Sequence, residues 1–143
     1  MPDNTVLTYY NSEQYMMHRK AMLFEDYTTA AQIMAAPNDD PKECKRLGRL
    51  IRNFEQKKWN ENAIDIVTEG CFHKFSQHKT LGDQLLATDN RPIAEASPYD
   101  RVWGIGLCEN AAQTTPPAEW PGTNWLGTCL ERVRAMLLRN NTE

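Results

Sequence analysis

No stretch of this chain approaches the ~20 consecutive apolar residues that a membrane-spanning helix needs. The start, Met1 to Thr8, is polar and has neither the basic opening nor the apolar middle of a secretory leader, so a cytoplasmic protein is expected. Close cysteine pairs are missing as well. Cys44, Cys71, Cys108 and Cys129 are far apart in sequence, and His18, His73 and His78 complete no zinc spacing. Free thiols in a reducing compartment follow, and no metal or cofactor is implied. Excess positive charge is also absent. A net charge of −3 does not suit a protein built as a whole around counterion release on a phosphate backbone, although a local basic patch remains compatible with one. The chain carries no internal repeat and no low-complexity tract.

What is present suits one soluble globular unit. At 143 residues, 41% hydrophobic and 24% charged, the chain is long enough for a core of its own, and residues 1–143 read as a single domain. Asn11 or Ser12 is placed to cap a first helix ending near Glu25 and Asp26. Asp26 to Ala36 reads as a second helix, stopped by Pro37. Asp40-Pro41 is a strong helix start, and the third helix is predicted to run to about Phe54. Its apolar face is Cys44, Leu47, Ile51 and Phe54. Its other face carries Lys42, Lys45, Arg46, Arg49 and Arg52, which suits solvent and also suits phosphate. Asn60 to about Gln77 reads as a fourth helix, and Thr80 as the cap of a short one through Ala87. Arg91 to Ser97 is the best strand candidate. Pro98 to Asn124 is long, irregular and rich in Gly and Pro. Asn124 or Thr123 caps a last helix with Leu126, Leu130, Val133 and Leu137 at helical spacing, before a polar tail from Arg139 to Glu143. The pattern is mainly α, with about six helices and at most one or two short strands.

Three places hold candidate chemistry. On the first helix, Glu13 and Lys20 lie seven residues apart, nearly two whole turns, so they share a face with Met17 and Phe24. If that face is inward, both ionisable groups are desolvated and their pKa values move. A surface helix with snorkelling side chains shows the same pattern. The second place is Glu95 to Gly106, where Glu95 and Asp100 flank a turn, Trp103 offers a flat face, and Gly104 and Gly106 permit close approach. It lacks the third glycine and following helix of a dinucleotide fingerprint. A structural turn around a buried tryptophan is the alternative. The third is Trp120 to Gly127, where a Gly-containing turn feeds a helix. Free N–H groups there would hold an anion, with the Asn124 amide beside them; a plain helix cap is the alternative. Trp59 would stack on a ligand or fill the core. Lys74-Phe75 reads as structural, and His18, beside Arg19, lacks a Ser or Cys partner in sequence.

The ordered set Ser12-Glu13-Gln14-Tyr15-Met16-Met17, Arg19-Lys20-Ala21, Phe24, Asp26, Leu47-Gly48-Arg49, Trp59, Lys74-Phe75, Leu85-Leu86-Ala87-Thr88, Glu95-Ala96-Ser97, Asp100, Trp103-Gly104-Ile105-Gly106 and Asn124-Trp125-Leu126-Gly127 resembles the NADAR, or YbiA-like, family. The likeness runs from Tyr9 to Leu138. It implies a mainly helical YbiA-like fold and N-glycosidase chemistry on ribose-phosphate-like substrates. Members resembling this chain remove ADP-ribose from guanine, in nucleosides or nucleic acid, and others cleave intermediates of riboflavin synthesis. Carried over residue by residue, Glu13, Lys20 and Asp100 would be catalytic. Trp59, Trp103, Gly104 and Asn124 would bind substrate by the same carry-over; Arg19 and Glu95, beside these motifs, are expected to join them, with diphosphate held by the N–H groups near Asn124 together with Arg19 or Arg49. The resemblance departs at one place. Family members usually carry an extra segment before the first helix, and here Met1 to Tyr10 precedes it, which leaves substrate contacts from that segment open. Two other classes remain at this stage: a module that reads ADP-ribose or a nucleotide without cleaving it, and a helical adaptor using the basic third helix. No membrane partner is implied, and the oligomeric state is left open.

Overall fold

In the computed structural model, residues 7–37 and 40–142 are described; of Asn141 and Thr142 only the backbone is. The readings made on residues 1–6 and on Glu143 lie outside the described residues. Seven α-helices and one 3-10 turn are formed, and no strand occurs among the described residues. The mainly α class is therefore correct. The chain divides into two compact units, residues 1–62 and 63–143.

The first unit holds α1 (Ser12–Leu23), α2 (Tyr27–Met34), α3 (Pro41–Gly48) and the opening of α4 (Gln56–Gln77). Helices α1, α2 and α3 pack against one another. Asn11 caps α1 by accepting from the Gln14 N–H at 2.8 Å. Helix α3 is shorter than its apolar period suggests, ending at Gly48 rather than near Phe54. The chain turns instead through Asn53, whose φ of 63° lies in the left-handed region that Asn tolerates. Cys44, Leu47 and Ile51 are buried, whereas Phe54 is 41% exposed. Gln14 is buried but satisfied. Its Nε2 donates to the Ile33 carbonyl (3.2 Å), and its Oε1 accepts from the Tyr10 N–H (2.7 Å).

Asp26 ties this unit together. Its side chain is almost wholly buried and caps α2, accepting from the Thr29 N–H (3.1 Å) and the Thr29 hydroxyl (2.6 Å). It also accepts from the Arg52 N–H at 2.9 Å, which pins the segment after α3 to the start of α2. The Thr29 hydroxyl and the two backbone N–H groups hold the carboxyl down at about 2, against a burial effect of opposite sign.

The second unit contains residues 63–77 of α4, then α5 (Lys79–Leu86), α6 (Glu109–Thr114), a 3-10 turn (Pro117–Glu119) and α7 (Trp125–Thr142). Leu85, Val133 and Leu137 form its centre, with Cys71, Phe72, Phe75, Leu86, Ile93 and Leu130 against them. The four cysteines are free, and burial pushes the Cys71 thiol up to about 11, away from thiolate chemistry. Helix α5 begins at Lys79, and His78, not Thr80, stands at its N-cap. The tail read as starting at Arg139 continues α7 to Thr142.

Arg91 to Ser97 forms no strand among the described residues. The Ile93 carbonyl accepts from Asn124 Nδ2 (2.8 Å), and the Glu95 N–H donates to Asn124 Oδ1 (3.0 Å). The Glu95 carbonyl takes the Ile105 N–H at 2.9 Å. Side-chain and loop partners thus satisfy groups that a ladder would otherwise pair. Gly127 makes this close approach possible, since a Cβ there would lie 2.1 Å from the Ile93 oxygen and 2.2 Å from Asn124 Nδ2.

Two outcomes follow. Gly127→Ala must displace backbone, and is expected to destabilise the protein by about 3 kcal/mol, read as a lowered midpoint in urea. Asp26→Asn keeps an N-cap acceptor and removes the charge. Because the folded carboxyl titrates below its ordinary 3.8, its stabilising share is full above that value and fades as the pH falls toward about 2. Thermal melts should therefore show wild type above Asp26→Asn at neutral pH and the two converging below pH ~2.

Candidate functional site

Helix α1 sets Lys20 against an aromatic wall. The ammonium stands 4.5 Å from the centroid of Phe54 and 5.4 Å from that of Trp59. Phe54 packs edge-on against Phe24 at 5.2 Å. Phe24 and Trp59 are buried, and Met17 lies buried one turn before Lys20. Ring faces attract a cation and return part of what desolvation takes away. Burial nevertheless wins and pushes the Lys20 pKa below its ordinary value, while the nearby Glu13 carboxylate pulls it back up. Among the described residues Lys20 makes no ion pair. The result is a half-buried amine with a carboxylate in electrostatic reach and one partly open aromatic face.

Next along α1, Arg19 Nη1 donates to the Tyr15 hydroxyl at 2.9 Å and its guanidinium lies over that ring. His18 is buried, and burial followed by the Arg19 charge pushes its pKa down. In the tautomer protonated on Nε2, the Tyr9 hydroxyl donates to His18 Nδ1 at 2.8 Å.

The other candidate residues belong to the second unit. Asp100 Oδ1 accepts from the N–H groups of Val102 and Trp103, both at 2.9 Å, and so shapes the turn before Trp103. Trp103 meets Trp125 edge-to-face at 5.4 Å. Gly104 is buried; a Cβ there would lie 2.8 Å from the Asp100 carbonyl and 3.0 Å from that of Glu95. Glu95 is exposed, and its backbone is gripped by Asn124.

The expected anion cradle at the start of α7 is not open. The N–H groups of Asn124, Trp125 and Leu126 donate to the carbonyls of Gly104, Val102 and Trp103 at 3.0, 2.9 and 3.1 Å. The Gly127 N–H goes to Asn124 Oδ1 at 3.3 Å. Groups that a helix start leaves without intrahelical partners are spent here on the loop 101–105. Asn124 does cap the helix, but both ends of its amide are occupied within the protein.

The sequence-derived residues therefore fall into two sets: Glu13, Arg19, Lys20 and Trp59 in the first unit, and Glu95, Asp100, Trp103, Gly104 and Asn124 in the second. Sequence reasoning missed Phe54 as the nearer wall of the lysine site. It read that ring as the end of α3, and the overlooked signal was Asn53, a residue that readily takes the turning conformation before it.

Comparison with known proteins adds an independent line. The NADAR domain family model matches residues 2–138. The chain is 46% identical over 128 residues to a protein named N-glycosidase from Acanthamoeba polyphaga mimivirus, covering 88% of this chain and 73% of that one. It is 38% identical over 128 residues to the protein irg-1 of Caenorhabditis elegans, covering 88% of this chain and 59% of that one. A chloroplastic riboflavin biosynthesis protein of Zea mays is 30% identical over 102 residues, covering 68% of this chain and 15% of that one.

The local electrostatics give a direct test. Glu13 raises the Lys20 pKa, so Glu13→Gln should lower it further. Lysine-selective NMR titration should place wild-type Lys20 below the ordinary 10.5 and the variant lower still.

Proposed function

This chain belongs to the NADAR family, and on that premise we propose that it is an N-glycosidase that hydrolyses the bond between a base and a (phospho)ribose, with ADP-ribosylated guanine, in a nucleotide or a nucleic acid, as its substrate. The observation that carries the proposal is the Lys20 amine, half-buried against Phe54 and Trp59 beside Glu13. A module that only reads a nucleotide has no use for a lysine whose proton is made easier to lose. The name of the mimivirus relative supports glycosidase chemistry. The guanine substrate comes from the family resemblance, and a cytoplasmic location from the polar, leader-free reading of Met1 to Thr8.

In this reading the C1–N bond to the base breaks through an oxocarbenium-like centre, which a nearby carboxylate stabilises. The neutral Lys20 amine bonds to C1 and forms a Schiff base as the sugar ring opens; of the amine's two protons, one leaves with the base on its former glycosidic nitrogen and the other passes to the ring oxygen, which becomes a hydroxyl. Glu13 activates the water that hydrolyses the imine, which frees the sugar aldehyde and restores the amine. The proposal retains Asp100 as the second carboxylate and Trp103 as the stacking ring, on the resemblance alone. Glu95, Gly104 and Asn124 serve it through the backbone that they shape, and Arg19 offers its guanidinium to phosphate. A second reading, hydrolysis of a riboflavin-pathway N-glycoside, is favoured by the name of the maize relative.

Incubation with ADP-ribosylated guanosine and, separately, with a phosphoribosyl amine of the riboflavin route should distinguish the two by chromatography of the released base. Release from neither substrate overturns the proposal. Lys20→Ala is expected to lose ~10²–10⁴-fold in kcat/KM while its melting temperature stays within a few degrees of wild type. Since the deprotonated amine reacts, the rate should rise with pH and level off below the ordinary lysine value of 10.5. Borohydride added during turnover should fix a sugar adduct on Lys20; its absence removes the Schiff-base step and leaves Lys20 as the acid that protonates the leaving base.

A further inference from the structure

Residues 42–58 carry seven basic side chains and two acidic ones, a local excess of five positive charges in a chain of net charge −3. Two of these cations have structural partners: Arg46 pairs with Glu43, and Arg52 with Asp26. Lys42, Lys45, Arg49, Lys57 and Lys58 are exposed and make no ion pair among the described residues. At 100° per residue, Lys42 and Lys45 of α3 and Arg49 at its C-cap fall on one stripe, about one cation every 5 Å along the axis. Cys44 and Leu47 on the opposite side are buried.

Helix stability explains only part of this stripe: Lys45, in the last turn of α3, and Arg49, at its C-cap, suit the helix dipole. Lys42 stands in the first turn of α3, where the helix dipole disfavours a cation. Lys42 with Lys45 or Arg46, and Lys45 with Arg49, are like-charge pairs at spacings that destabilise a helix. The fold bears this repulsion on its surface. Because the apolar side of α3 is already buried, the helix has no free apolar face with which to enter a lipid surface. Lys58 ties the charged segment to the lysine site: its ammonium lies 5.6 Å from the centroid of Phe24, the ring that packs on Phe54 beneath Lys20.

We propose that the α3 stripe, with Lys57 and Lys58, is a docking surface for the phosphate backbone of a nucleic-acid strand. The strand delivers its modified base to the Lys20 site, and in that clause the inference rests on the glycosidase reading. Exposed cations that make no ion pair among the described residues suit a row of phosphates and read no sequence.

The test uses the full chain and a labelled, unmodified single-stranded DNA, with anisotropy followed from 50 to 200 mM salt. Wild type should bind, with affinity falling steeply as salt rises. Lys42→Gln/Lys45→Gln should weaken binding ~5-fold at the lowest salt and make the logarithmic salt slope shallower by about 1.5. Lys79→Gln, which breaks an exposed ion pair to Asp83, should leave the slope as in wild type. Hydrolysis of a nucleoside-sized substrate should be the same in wild type and in the Lys42/Lys45 double variant. No binding of the strand, equal slopes in all three proteins, or binding to acidic lipid vesicles instead of DNA overturns the inference. A shallower slope in the double variant with no glycosidase activity in wild type would sustain the surface and sink the glycosidase reading alone.

Discussion

The start of α7 is the constraint on which the second unit depends. A helix start normally leaves its first N–H groups unpartnered, and in many proteins these face an anion. Here Trp125, Leu126 and Gly127 spend theirs on loop carbonyls and on the Asn124 side chain. Asn124 itself sits at φ 53°, a backbone state that few side chains other than Asn and Asp adopt readily. From that position one amide caps the helix, takes the Glu95 N–H and donates to the Ile93 carbonyl. A long segment with no sheet of its own thereby obtains partners for its buried backbone groups, and Trp103 and Asp100 acquire defined places within it.

The first unit meets a different problem, that of ionisable groups next to an apolar core. Asp26 and Lys20 solve it in opposite ways. Asp26 is surrounded by donors, so its charge is stabilised more than burial penalises it, and the group is structural. Lys20 has rings for neighbours and a carboxylate only within electrostatic reach, so burial prevails and the proton is held less tightly. A group with every donor or acceptor satisfied is poor at exchanging protons with a substrate, whereas a poorly compensated one is suited to it. That contrast separates the two residues by their electrostatics, although both are charged residues on or beside α1 and α2.

Carboxylates and amides in the second unit show how the same residue types serve architecture. One oxygen of Asp100 already holds two N–H groups, and both ends of the Asn124 amide are engaged. These contacts orient the turn that carries Trp103. Both residues thereby fix the geometry of the loop around Trp103.

Much of this was written in local sequence. The mainly α class, the Asn11 and Asp26 caps, the Asp40-Pro41 helix start and the shared face of Glu13 and Lys20 all depend on neighbours within one or two turns, and local rules govern them. The ordered motifs also sufficed to reveal the family. What the sequence could not decide were contacts made by residues far apart in the chain. Helix α3 ends at Gly48 although its apolar period continues, and the segment after it is held where the Arg52 N–H bonds Asp26, 26 positions away. The run 91–97 forms no strand, and Asn124, about thirty positions away, bonds the Ile93 carbonyl and the Glu95 N–H instead. The anion cradle is closed because loop carbonyls reach the helix start first. Phe54 becomes the wall beneath Lys20 only after the chain turns at Asn53. In each case a backbone or charged group had several partners of similar local merit, and only the packed chain determined which one it met.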